Sequence, residues 1–137
     1  PIIPARHGDV LLAFEPAEAV RMVPKLRSDA KCVVNTDEII PTNVALGKGA
    51  YLGDEYIDTM KRLYPDTLFL AGAELALKAG DIRTLNIVIL GAACGAGKLP
   101  FSTDEVHAAI TRCVRPKLLP MNEKAFALGI DAASRRW

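Results

Sequence analysis

The sequence has few cysteines, and they are not spaced as metal ligands. The 3 cysteines among 137 residues are Cys32, Cys94 and Cys113, an odd number at wide spacing. This spacing excludes a CxxC zinc site and an iron–sulfur cluster bound by this chain alone. Each cysteine lies in an apolar run, which favours reduced thiols and a cytoplasmic location.

The sequence also lacks a charge excess and a long apolar run. Its 17 Lys and Arg residues are balanced by 16 Asp and Glu, interspersed along the chain. Nucleic-acid-binding proteins carry a basic stripe or patch, so nucleic acid is not an expected partner. The apolar stretch 85–97 is interrupted by Asn86 and is shorter than the roughly 20 residues of a transmembrane helix, so no membrane span is expected.

The composition that remains is that of one globular domain. Hydrophobic residues make up 50% of the chain, and we expect residues 1–137 to form a single domain. Three apolar runs predict strands, at residues 9–15, 32–36 and 67–71. The first run is nearly continuous, as in a central parallel strand buried on both faces. A helix from Pro16, with an apolar stripe to Leu26 that Pro24 is expected to bend or shorten, and a helix over 54–64 alternate with the strands. This alternation indicates an α/β fold with a parallel sheet.

The C-terminal half is expected to be helical, because no segment after residue 72 alternates with a period of two. A short helix over 73–79 ends at Gly80, and length favours one buried helix over 85–97. Ser102 and Glu105 form a capping box before another helix. A last helix is predicted over 122–129, capped by Asn122 and closed by Gly129.

Gly91 and Gly95 lie one helical turn apart in the 85–97 helix. Small residues at this spacing allow another backbone to approach closely. The partner is either the sheet or another subunit, so both glycines are candidate interface residues. Self-association of a scaffold protein through this face is one of the alternatives left open.

No self-sufficient catalytic set is visible in the sequence. Residues 92–99 resemble a phosphate-binding loop, but Ala92 replaces its first glycine and Leu99 its Ser or Thr. Neither His7 nor His107 has a nearby Ser or Cys in the context of an activated nucleophile. This favours a subunit or an interaction module over an enzyme that acts alone.

Glu15, Asn35 and Thr36 are candidate cofactor-binding residues, because they follow two predicted strands. Open α/β sheets bind ligands at the carboxyl ends of their strands. Two other readings stay open. In one, Glu15 orients a loop or meets a partner subunit; in the other, Asn35 and Thr36 are turn residues and Asn35 bonds to its own backbone.

Four stretches of the sequence carry a resemblance to a known family. They are residues 13–21, residues 33–36 followed by Ile40-Pro41, residues 86–92 and residues 122–129. In residue identity, order and spacing they resemble the gamma-type domain of the 2-oxoacid:ferredoxin oxidoreductases, the pyruvate and ketoisovalerate family. The likeness is greatest to the beta-subunit type found in indolepyruvate ferredoxin oxidoreductases.

The resemblance implies a Rossmann-like open sheet and a role as an accessory subunit. Such a complex decarboxylates a 2-oxoacid, here an arylpyruvate such as indolepyruvate, forms an acyl-CoA and passes two electrons to ferredoxin. Thiamine diphosphate and iron–sulfur clusters are then held by a large partner subunit, with no cofactor bound and no catalytic residue supplied by this chain. A homo-oligomer is also compatible with the resemblance.

The resemblance also bears on individual positions. Glu15, Asn35, Thr36 and Asn86 are expected to be structural or interface residues, and Asn86, as a polar group heading an apolar helix, needs a partner or a capping role. The family's domain begins with a strand and a GxGGQG turn, so we expect an N-terminal strand unit to be missing here. The alternative from a different class is a non-enzymatic α/β module that binds a nucleotide-like or CoA-like ligand at the strand ends.

Overall fold

The computed structural model describes residues 2–37 and 53–135. The Ile40-Pro41 motif and the residues on either side of it, from 38 to 52, lie outside these ranges. The described part contains three strands and six α-helices, in an order that alternates strand and helix before becoming helical. They are β1 (Gly8–Ala13), α1 (Pro16–Met22), β2 (Leu26–Asn35), α2 (Gly53–Leu63), β3 (Leu68–Leu70), α3 (Gly72–Ala79), α4 (Leu85–Gly95), α5 (Thr103–Cys113) and α6 (Leu119–Ser134).

The three strands form one parallel sheet in the order β1-β2-β3, which confirms the predicted α/β class. Val33 of β2 pairs with Leu12 of β1 on one side and Leu68 of β3 on the other. The prediction that β1 is central is wrong within the described residues, where β1 pairs with β2 alone. The apolar run had indicated burial of both faces of the strand, and flanking helices provide that burial even at a sheet edge.

The central strand β2 is longer than the sequence indicated. Pro24 lies in a 3₁₀ turn that follows α1, and this turn ends the helix before the predicted apolar stripe reaches Leu26. Leu26 is 5% exposed and instead opens β2, opposite Gly8. The register then shifts, since the next pair is Val10 with Lys31, so β2 holds extra residues at this end.

Helices cover both faces of the sheet and produce two hydrophobic layers. On one face, side chains of α1, of the 3₁₀ turn after it and of α2 pack on β1 and β2. Ala19 of α1 and Met60 of α2 are fully buried there. On the other face, Ile89 and Ala92 of α4 pack on Val33 and Leu68. No helix in the described part is long and apolar enough to cross a membrane.

The C-terminal half is helical, as predicted. The helix α4 corresponds to the 85–97 prediction, and α3 ends before Gly80, whose φ is +137°. The capping box of α5 is present: the Glu105 backbone N–H donates to Ser102 Oγ at 3.1 Å, and the Ser102 backbone N–H donates to Glu105 Oε2 at 2.7 Å.

The last helix differs from the prediction at both ends. It spans Leu119–Ser134 and not residues 122–129. Asn122 lies inside the helix, where its Nδ2 donates to the carbonyl of Leu118 at 2.8 Å, so it is not the cap. Gly129 also lies inside the helix and does not end it.

Glycines bring α4 and α6 into backbone contact. A Cβ atom on Gly129 would overlap the carbonyl oxygen of Val88 and lie 2.9 Å from the nitrogen of Ala92. A Cβ atom on Gly91 would overlap the carbonyl oxygen of Phe126, and one on Gly95 would lie 2.7 Å from that of Ile130. The close approach predicted for Gly91 and Gly95 is therefore made by α6 of the same chain, and by neither of the two partners that the sequence left open, the sheet or another subunit.

The glycine contact predicts that Gly129→Ala destabilises the protein. In an unobstructed helix, the same change stabilises by about 0.5–1 kcal/mol. Here the new methyl group must push α6 away from α4, and overpacking of this kind costs about 1–3 kcal/mol. The free energy of unfolding, measured by urea denaturation, should fall.

The exposed residue Ala127 on the same helix provides the matched control. Replacing it with Gly measures helix propensity alone and should cost about 0.5–1 kcal/mol. A Gly129→Ala protein that is more stable than the parent would contradict the close contact between α4 and α6.

Candidate functional site

The side chain of Asn35 joins the carboxyl ends of the strands. It is 1% exposed, at the last residue of β2. Its Nδ2 donates to the carbonyl of Phe14, just after β1, at 3.0 Å. Its Oδ1 accepts a hydrogen bond from the backbone N–H of Gly72, at the start of α3, at 2.8 Å. One buried amide group at the end of β2 thus links the segments that follow β1 and β3.

The two residues after Asn35 continue this linkage. The backbone N–H of Thr36 donates to the carbonyl of Leu70 in β3 at 2.8 Å. Oδ2 of Asp37 accepts from the backbone N–H of Ala73, the second residue of α3, at 2.7 Å. The residue before α3 is Ala71, which has no capping side chain. Asn35 and Asp37 therefore satisfy the first N–H groups of α3 from across the sheet.

Glu15 has a more local role, as the N-cap of α1. Its backbone is extended, and its Oε1 accepts from the backbone N–H of Glu18 at 3.0 Å. Pro16 occupies the first helical position, where its missing N–H is not needed. Of the two readings of Glu15 that the sequence left open, the orientation of a local segment is the one seen here.

The structure brings Glu15, Asn35 and Thr36 to one edge of the sheet, as the strand-end rule predicted. However, Asn35 is buried and uses both of its polar atoms within the protein, so it does not face a ligand space. Asp37 was not among the predicted site residues. Its role could not be read from the sequence, because its partner Ala73 lies 36 residues further along the chain.

The described residues do not supply a metal site or an activated thiol at this edge. No group of three or more His, Cys, Asp or Glu side chains within residues 2–37 and 53–135 is placed to hold a metal ion. Cys32 lies in the core, and burial raises the pKa of its thiol. Burial also raises the pKa of Cys94. Both therefore favour the protonated thiol over the thiolate that nucleophiles and metal ligands require.

Of the two roles expected for Asn86, a cap of α4 or a partner for its amide, the capping role is wrong. A 3₁₀ turn precedes the helix, and its cap is Asp81, whose Oδ1 accepts from the backbone N–H of Arg83 at 2.8 Å. Asn86 is exposed at the second position of α4, and its side chain makes no hydrogen bond within the described residues. Sequence position alone could not show that a separate turn would cap this segment.

Asn86 lies in a surface groove between the turn before α4 and the segment that joins α5 to α6. We call it the Arg115 groove. Its volume is about 310 Å³, and its lining includes Arg83, Asn86, Val114, Arg115, Leu118 and Met121. At its rim the Arg83 guanidinium donates to Asp81 Oδ2 at 2.8 Å. This hydrogen bond, with that from the Arg83 backbone N–H, lowers the pKa of Asp81 to about 2.

Comparisons with known proteins give a consistent family result. Residues 1–132 match the family described as pyruvate ferredoxin/flavodoxin oxidoreductase. The indolepyruvate oxidoreductase subunit IorB of Archaeoglobus fulgidus is 34% identical over 134 residues, which cover 97% of this chain and 67% of that protein. The protein of the same name from Methanothermobacter thermautotrophicus is 34% identical over 134 residues, covering 97% and 68%. That from Thermococcus kodakarensis is 33% identical over 137 residues, covering 96% and 66%.

The hydrogen bonds of Asn35 predict that Asn35→Ala strongly destabilises the protein. The change leaves the carbonyl of Phe14 and the N–H of Gly72 without their partner, and each unsatisfied buried group costs about 1–3 kcal/mol. We expect a loss of about 2–4 kcal/mol in the free energy of unfolding, measured by urea denaturation.

Thr36→Ala is the matched control, because Thr36 contributes its backbone N–H to the sheet edge and this group is retained. Thr36 is half-buried, and its side chain makes no hydrogen bond within the described residues, so the loss should be smaller than for Asn35→Ala, at about 0.5–1 kcal/mol. Equal stabilities for Asn35→Ala and Thr36→Ala would show that the buried amide does not hold the strand ends together.

Proposed function

Because the chain belongs to the pyruvate ferredoxin/flavodoxin oxidoreductase family, we propose that it is an accessory subunit of a thiamine-dependent 2-oxoacid:ferredoxin oxidoreductase in the cytoplasm. The observation that supports this most strongly is the extent of the similarity. Relatives named as subunits of indolepyruvate oxidoreductase match 97% of the chain at 34% identity. On this basis the complex would act on an arylpyruvate such as indolepyruvate.

The proposed overall reaction divides into parts that need different chemical groups. The 2-oxoacid and CoA give an acyl-CoA and CO2, with two electrons and one proton released. The electrons reduce two molecules of one-electron ferredoxin. Thiamine diphosphate would supply stabilisation of the carbanion formed when CO2 leaves. Iron–sulfur clusters are suited to carry single electrons.

The residues described in this chain do not fit thiamine diphosphate or an iron–sulfur cluster. No step of the reaction on either cofactor is therefore assigned to this chain. Within residues 2–37 and 53–135 no set of His, Cys, Asp or Glu is clustered as metal ligands. At the carboxyl edge of the sheet, the buried amide of Asn35 is bonded to Phe14 and Gly72. Both cofactors are therefore proposed to lie in a large partner subunit, through which ferredoxin is also reached.

Under this proposal the work of the chain is to present a rigid surface to that partner. The hydrogen bonds of Asn35 and Asp37 fix α3 to the sheet, and the glycine contacts fix α6 to α4. A surface held in one arrangement loses little conformational freedom when it binds, which favours a stable complex. Homo-oligomer formation within the complex is compatible with this role.

The test of the subunit proposal is anaerobic affinity purification of the full-length natural protein from its own cells, with mass spectrometry of the co-eluting chains. We expect a large chain in equal amount that contains thiamine diphosphate and iron. An unrelated protein with the same tag controls for non-specific capture. If the protein elutes folded and without a partner, the proposal is wrong.

The substrate class has its own test, in the purified complex with CoA and ferredoxin. We expect kcat/KM for indolepyruvate and phenylpyruvate to exceed that for pyruvate by tenfold or more, because an aromatic pocket gains binding energy from the ring. A preference for pyruvate would contradict the arylpyruvate assignment while leaving the subunit role in place.

A further inference from the structure

We propose that the Arg115 groove is a docking site for an acidic segment of the large partner subunit, in which an apolar side chain sits between carboxylates. This inference rests on the proposed function, because it takes the partner subunit as given. It is derived from the apolar lining of the groove, from the basic charge around it and from the unused amide of Asn86.

The lining of the groove offers a seat for an apolar side chain. Val114, Leu118 and Met121 line it on the side of the α5–α6 segment. Leu118 is 36% exposed. An isolated exposed aliphatic residue is ordinary, but Leu118 lines a concave surface, which is where binding energy concentrates in protein interfaces.

The charged side chains around the groove that have no ion-pair partner within the described residues are basic, because Asp81 at the rim is paired with Arg83. Residues 106–122 contain no Asp or Glu, although acidic and basic residues are nearly equal in the chain as a whole. Arg115 and Lys117 are exposed, and neither forms an ion pair within the described residues. By contrast, Arg21 and Arg135 each lie 2.6 Å from a carboxylate oxygen. Arg115 and Lys117 are thus available to carboxylates of another molecule.

Two further groups at the groove suit a polypeptide ligand. The Asn86 amide is exposed and makes no hydrogen bond within the described residues, so it can pair with both the N–H and the C=O of a peptide backbone. Arg83 Nε donates to Oδ1 and Oδ2 of Asp81, at 3.1 Å each, and Arg83 Nη2 donates to Oδ2 at 2.8 Å. These three bonds hold the Arg83 guanidinium in place.

Charge and shape distinguish this occupant from others. In a dimer with a two-fold axis at the groove, Arg115 and Lys117 of one copy would face Arg115 and Lys117 of the other. These like charges repel each other. Nucleic acid would leave the apolar lining without contact and would find no aromatic side chain among the lining residues to stack on. An acidic segment with an apolar anchor satisfies both the cations and the lining.

The test compares two double variants of the full-length protein, each expressed in its own cells with an affinity tag. Arg115→Glu/Leu118→Asp changes the groove. Arg62→Glu/Leu63→Asp makes the same exchange at the end of α2, on the opposite face of the sheet, where Leu63 is 40% exposed. The amount of large subunit recovered per tagged chain is measured by mass spectrometry at low and at physiological salt.

We expect the groove variant to recover at least about tenfold less large subunit than wild type, in the range of a binding hot spot, while the α2 variant recovers as much as wild type. Wild-type recovery should also fall as salt rises, because contacts between exposed opposite charges are screened. If the double variant does not fold, as judged by circular dichroism, Arg115→Glu alone must reduce recovery several-fold.

Other outcomes would overturn the proposal in distinguishable ways. Full recovery of the large subunit by the groove variants would reject the groove and retain the subunit function. An equal loss of large-subunit recovery in the groove variant and the α2 variant would show that the effect is not specific to the groove. If the groove variant keeps the large subunit but no longer associates with itself, the occupant of the groove is a second copy of the chain. Absence of the large subunit with the wild-type chain would reject the proposed function and the groove together.

Discussion

The side-chain amide of Asn35 is the interaction on which the arrangement of this α/β unit depends. In a parallel sheet the carboxyl ends of all strands meet at one edge, and the backbone groups that leave the sheet there need partners. Asn35 donates to Phe14 after β1 and accepts from Gly72 after β3, while Asp37 accepts from Ala73. Asn35 and Asp37 therefore tie the start of α3, the first helix of the helical half, to the end of β2.

This constraint has a functional consequence, because the edge it occupies is the usual ligand position of an open α/β sheet. At this edge Asn35 is bonded within the protein and Glu15 caps α1. The polar atoms of these two side chains that are described here serve the fold of the chain itself. Such a division, in which one subunit presents a rigid surface and another holds the reactive cofactors, is consistent with membership of the pyruvate ferredoxin/flavodoxin oxidoreductase family.

The sequence predicted the element types well, because strands and helices are encoded locally by apolar periodicity. The capping box at Ser102 and the turn at Gly80 were also local and were found. What failed depended on distant contacts. The partner of Asn35 lies 37 residues away, and Gly129 was interpreted as a helix end because only its contact with Val88 shows why a glycine is needed. Pattern alone could not show that β1 has one strand neighbour within the described residues.

The central claim is that this chain supports catalysis whose cofactors are in a partner subunit. The most direct test is the rate of 2-oxoacid-dependent ferredoxin reduction by the purified large subunit, measured anaerobically with and without the full-length protein. The account predicts that neither component alone is active and that their equimolar mixture is. Turnover by this protein alone, or a large subunit whose full rate does not depend on it, would contradict the claim.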